Sequence, residues 1–171
     1  MPRQDVLHDC IQDGVSDKKI RPNQIFAVSL PFALLPREKA KAVVLTVEEK
    51  LLTPYGLRSL APEDLEYRKN YTGNPYERDS AYHQGTVWAW LIGPFVDAYL
   101  NVFGESEETC GYLESLFDGF RQHMSQAMLG SISEIFDAEQ PYAPKGCGAQ
   151  AWSVAEVLRA VQKLQKMREK H

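Results

Sequence analysis

The sequence predicts an all-α fold of antiparallel helix hairpins, and three observations carry that expectation. Apolar residues recur at helical spacing in successive segments, Pro and Gly gather in the stretches between them, and no set of alternating segments suggests a sheet. The apolar run 25–35 ends at Pro36, which suits the first turn of a new helix. Ala40, Val43, Val44, Val47 and Leu51 then mark that helix's stripe. Two helices are expected to meet there across a short turn.

From residue 53 to 80 the character changes, with Pro54, Gly56, Pro62, Gly73 and Pro75 among polar and tyrosyl residues, which predicts a long ordered loop. Residues 84–103 are apolar on most sides and read as one buried helix closed by Gly104. Residues 105–128 are amphipathic, with Leu113, Leu116, Phe117, Phe120 and Met124 on one stripe and Glu114, Asp118, Arg121 and Gln122 on the other, so that helix should lie outside its predecessor. A second long loop covers 130–150. A last helix covers 151–168, with Val154, Val157, Leu158, Val161 and Leu164 on its stripe and Lys163, Lys166, Arg168 and Lys170 suited to its C-terminal dipole.

Helices entered from long loops alternate with helices entered from short turns, so the former all run in one direction and share one end of the domain. The unusual polar residues fall at those entrances: Arg21, Asn23 and Gln24; Tyr82, His83 and Gln84; Gln150 and Trp152. They can converge on one pocket. Amide and imidazole groups hydrogen-bond sugar hydroxyls, and indole faces suit the C–H faces of neutral hexoses, so the mixture around Gly85 favours carbohydrate over phosphate.

Composition limits the alternatives. The 171 residues, 44% hydrophobic and 25% charged, are enough for a single domain over 1–171, and a net charge of -4 excludes the polycationic surface of a nucleic-acid binder. The longest apolar stretch, 87–96, is interrupted by Gly93 and Pro94 and is too short to cross a membrane. Cys10, Cys110 and Cys147 are odd in number and widely spaced, and no secretory leader is evident, so a reducing, cytoplasmic setting is expected. His8, His83, His123 and His171 lack the pairing of a helical metal site, and no glycine-rich phosphate loop or nucleophile elbow is present. No cofactor is expected.

Glu134, held between apolar residues in Ser131-Ile132-Ser133-Glu134-Ile135-Phe136-Asp137, is a candidate general base. Burial there would raise a carboxyl pKa, and hydrogen bonds or a cation would lower it. A structural or solvent-facing glutamate is the alternative. His83 reads either as a sugar contact or as a satisfied structural group, Trp88, Trp90 and Trp152 either as core or as sugar platforms, and Asn23 either as a contact or as a helix cap.

Four motifs occur in order along the chain: Arg21-Pro22-Asn23-Gln24 with Leu30-Pro31; Tyr82-His83-Gln84-Gly85-Thr86-Val87-Trp88; Ser133-Glu134-Ile135-Phe136; and Cys147 through Ala149-Gln150-Ala151-Trp152-Ser153. Together they resemble the C-terminal glucosidase domain of glycogen debranching enzymes. The resemblance implies an α/α toroid of six helix hairpins that hydrolyses α-1,6-linked glucose at branch points of glycogen-like glucans with inversion. It implies Glu134 as general base and His83, Gln84 and Trp88 as the lining of the glucose subsite. Asn23, Gln150 and Trp152 are placed similarly, with Arg58 and Tyr71 shaping the wall.

One departure is substantive. The family's general acid is an aspartate in a Trp-Gly-Arg-Asp motif upstream, and Arg78-Asp79 lacks the preceding Trp-Gly. The chain is therefore expected to correspond to about half a toroid, inactive alone, and to associate as a homodimer or with an N-terminal half. A non-catalytic glucan-binding or regulatory module is the second reading, and a structural oligomer the third.

Overall fold

The computed structural model describes residues 6–169; Lys170 lies outside them. At the centre is α4 (Ile92–Phe103), whose Ile92, Phe95, Val96 and Ala98 are completely buried. Gly104 ends it at φ 83°, with its N–H donating to Leu100 O. Four other helices pack on or around α4: α1 (Phe26–Ser29), α2 (Arg37–Leu51), α5 (Glu107–Ser115) and α7 (Ala151–Arg168). On α2, Val43, Val44, Val47 and Leu51 are sealed against the core, the stripe that the spacing predicts.

Helix ends follow local chemistry. Ser106 Oγ accepts from Thr109 N–H at the start of α5, and Asn74 and Glu77 form a reciprocal capping box on α3 (Pro75–Ala81). Arg159 and Lys163 of α7 both reach Asp97 of α4, at 2.7 and 2.8 Å, and Arg168 reaches Glu114 of α5 at 2.7 Å. The basic residues of the last helix thus pair across to its neighbours as well as facing its dipole.

Several expectations are corrected. The chain is not all-α: an antiparallel meander of five short strands, in the order β3 (Leu52–Thr53), β4 (Gly56–Arg58), β5 (Val87–Trp88), β6 (Ile135–Phe136) and β7 (Pro144–Lys145), runs beside the helices, and β1 (Cys10–Gln12) and β2 (Val15–Asp17) form a separate hairpin. Leu57 and Ile135 flank Trp88, and Phe136 faces Val87. Both predicted loops, 53–80 and 130–150, therefore hold strands, and the first also holds α3.

The predicted helix over 84–103 begins only at Ile92. Gly85 sits at φ 145°, where its backbone lies so close to Arg68 that a Cβ would fall 2.3 Å from Arg68 O, and Val87–Trp88 is already committed to strands on both sides. The 25–35 segment is helical only in the 3-10 turn Pro22–Ile25 and in α1, because Leu30 precedes Pro31 and is extended at ψ 154°. Leu30, Phe32 and Leu34 that follow are exposed. The amphipathic helix over 105–128 is divided into α5 and α6 (Asp118–His123), a break that turns both Phe117 and Phe120 inward.

Candidate active site

The meander's consequence is local: Glu134 immediately precedes β6 and is set beside the chain that turns from α3 into α4. Glu134 N–H donates to Cys147 O at 2.9 Å, continuing the β6–β7 ladder, and Cys147 N–H returns to Glu134 Oε2 at 3.0 Å. Tyr82 Oη donates to Glu134 Oε1 at 2.7 Å, and Gln150 Nε2 reaches the same oxygen at 3.2 Å. Three donors, two from residues 147–150 and one from the turn after α3, thus hold one half-buried carboxylate. Gly146, at φ 66°, makes room for it, since a Cβ there would fall 2.3 Å from Oε2.

Beneath Glu134 the segment is anchored by His123, a fully buried ring whose Nε2 accepts from Ser133 N–H at 3.2 Å. That bond requires the ring to be neutral. Burial lowers the His123 pKa and so favours the neutral form.

Next to the carboxylate an open cleft of about 660 Å³ is lined by Arg21, Asn23, Phe26, His83, Gln84, Trp88, Trp90 and Trp152, with Asp9, Asp17 and Asp79 at its polar margin. The three entrances meet here. Arg21 joins the first two, donating to Ser59 O, His83 O and Gln84 Oε1 at 3.1, 2.6 and 2.6 Å. The third joins through indole contacts: Trp90 and Trp152 stack at 5.2 Å, Trp152 meets Trp88 edge-on at 5.8 Å, and Phe26 lies 5.8 Å from Trp90. His83 stacks on Trp88 at 5.0 Å with the rings nearly parallel. That cover, with Arg21 nearby, lowers the His83 pKa; burial is the larger cause.

The residues named from the sequence fall into three groups. His83, Gln84, Trp88, Asn23 and Trp152 line the cleft. Gln150 touches Glu134 and caps α7, its Oε1 accepting from Ala151 N–H. Arg58 and Tyr71 do not line the cleft: Arg58 Nε donates to Ala138 O, and Tyr71 N–H donates to Asp137 Oδ1 while its ring leans on Tyr82. Glu134 itself is not part of the lining; Tyr82, whose neighbour His83 faces the cleft, and Gln150, two residues before Trp152, connect it to the cleft.

Several amides already have partners. Gln84 spends both ends on Arg21 and Glu66, and Asn23 Nδ2 donates to Asp9 Oδ1. The sequence places Tyr82 at an entrance but does not connect it with the carboxylate, from which it is separated by 52 residues. No spacing rule reports a contact of that range.

Among the described residues no cluster of His, Cys, Asp and Glu is arranged to hold a metal, and no helix is long and apolar enough to cross a membrane. A family model described as amylo-alpha-1,6-glucosidase matches residues 2–159. The glycogen debranching enzyme of Saccharomyces cerevisiae is 27% identical over 178 aligned positions, an alignment that covers 91% of this chain and 12% of that enzyme. The chain thus spans about 12% of the length of that curated relative.

Proposed function

The chain belongs to the amylo-alpha-1,6-glucosidase family, and from that premise we propose that it carries the general base of a site that hydrolyses α-1,6-linked glucose at the branch points of glycogen-like glucans. The observation that carries the reading is the carboxylate of Glu134, fixed by Tyr82, Cys147 N–H and Gln150 beside a cleft of indole, imidazole and amide groups. A solvent-facing structural glutamate has no need of three convergent donors.

In the proposed reaction Glu134 takes a proton from water as the water oxygen attacks the anomeric carbon. A carboxylic acid on the opposite face of the sugar, supplied from outside these 171 residues, gives its proton to the departing glycosidic oxygen. The anomeric configuration inverts, and the carboxyls stand roughly 6.5–9.5 Å apart to admit the water. The helices around α4 are read as part of an α/α toroid completed by that same remainder. Exposed Leu30, Phe32 and Leu34 mark an apolar face that such an association, or a second copy, would cover. The free thiols Cys10, Cys110 and Cys147 suit a cytoplasmic setting.

The reading is tested in the intact gene product by glucose release from a branched dextrin. Glu134→Gln should lower the rate by about 10²–10⁴-fold; an undiminished rate would sink the proposal. A second reading, glucan binding without chemistry, is favoured by the cleft's lining, which excludes Glu134. It predicts that neither protein releases glucose while both bind the dextrin. All three tryptophans of the chain touch one cluster at the cleft, so quenching or enhancement of intrinsic fluorescence reports occupancy directly.

A further inference from the structure

We propose that Tyr82 is a positioning residue that holds Oε1 of Glu134 so that Oε2 is the oxygen that receives the proton from water; this rests on the reading of Glu134 as base. The two carboxylate oxygens are not equivalent. Oε1 accepts from Tyr82 Oη at 2.7 Å and Gln150 Nε2 at 3.2 Å, whereas among the described residues Oε2 accepts only from Cys147 N–H, at 3.0 Å. With two donors on Oε1, the unspent lone pair is on Oε2.

Two of the donors belong to the frame of the 131–150 segment and α7. Cys147 N–H is backbone, and Gln150 is oriented by the bond from Ala151 N–H to its other end at 3.1 Å. The phenol is the donor that reaches in from the opposite side, from the turn after α3. That turn is itself rigid: Tyr82 O accepts from Thr86 Oγ1 at 2.6 Å and Trp88 Nε1 at 3.1 Å, and the ring meets Trp88 at 4.8 Å and His83 at 4.9 Å. Tyr82 therefore links the carboxylate to the same indole and imidazole that line the cleft. Burial, and then Glu134 itself, push the phenol's ionisation upward, so it stays a donor throughout the range in which an enzyme works.

The test is kinetic and uses the intact gene product with Tyr82→Phe, which keeps the ring and removes only the donor. The expected result is a fall in kcat of about ten- to a hundred-fold with KM within about two-fold. In a Glu134→Gln background the same change should have no further effect on the residual rate. A purely structural role would raise KM, or would lower the residual rate of Glu134→Gln further, and either outcome overturns the inference.

If Tyr82→Phe matches the wild type while Glu134→Gln abolishes glucose release, the inference fails and the reading of Glu134 stands. If Glu134→Gln is fully active, both fall. Phenol absorbance in the 171-residue chain supplies a readout independent of turnover. The Tyr82 signal, isolated by subtracting Tyr82→Phe, should titrate at lower pH in Glu134→Gln, and an unmoved titration overturns the contact on which the inference stands.

Discussion

The core around α4 and the segment around Glu134 are built on opposite principles. Ile92, Phe95, Val96 and Ala98 are sealed among Val43, Val44, Val47 and Leu164, and any of these contacts is one of many non-directional ones. Glu134 is held by three hydrogen bonds whose donors come from residues 82, 147 and 150. Burial spreads its risk over a whole surface, while a directional site concentrates it in a few atoms. The two regions should therefore respond to substitution in different currencies, stability in one and turnover in the other.

Phe95→Ala, a fully buried aromatic at the centre of α4, should cause the largest loss, about 3–5 kcal/mol of unfolding free energy. Urea titration of the chain measures it. A loss under about 1 kcal/mol would mean that α4 is not the centre of the core.

Gly146→Ala probes the boundary between the two regimes. Its left-handed backbone at φ 66° should make alanine cost roughly 1–2 kcal/mol, and the added Cβ would displace Glu134 Oε2. Gly146→Asn separates the two effects, because asparagine tolerates that backbone conformation but still carries the Cβ. Turnover of the intact gene product should fall in both variants, and stability chiefly in the alanine variant. Full turnover with Gly146→Asn would show that the close approach at Gly146 is not what fixes the carboxylate.

The same division governs what the sequence discloses. Helix α7 occupies the predicted span and α2 carries the predicted stripe, because many residues repeat one relation, but the α7 stripe itself is offset: Val154 and Leu158 are exposed, and Ser153, Ala160, Leu164 and Met167 face the core. The meander was hidden for the converse reason. Its strands are two or three residues long, too short for alternation to register, and β5 looked like the opening of a helix since Val87, Trp88 and Ala89 are apolar and continuous with α4. The entrance residues were legible as a group. What each atom does was not: Gln84 and Asn23 are engaged by Arg21, Glu66 and Asp9, partners whose approach depends on tertiary folding.

The smallest expected effect concerns the support beneath the site and sharpens the contrast further, since it is a directional bond made inside the core. His123 is packed edge-on by Tyr55 and Phe136, faces Ser133, and accepts Ser133 N–H at Nε2, so the folded state favours the neutral ring. Its pKa is lowered from an ordinary value of 6.5, chiefly by burial. The unfolded chain therefore binds a proton that the folded chain refuses as pH falls below about 6.5. The stabilising contribution is complete above that value and is lost progressively as pH falls toward the folded pKa. His83 contributes with the same sign, so the quantity to measure is the difference between wild type and His123→Gln in unfolding free energy across pH 5–8. The wild type should lose more stability on acidification than the variant. Parallel curves would mean that the ring is already free to take a proton, and that the Ser133 N–H bond to it does not anchor the segment carrying Ser133 and Glu134.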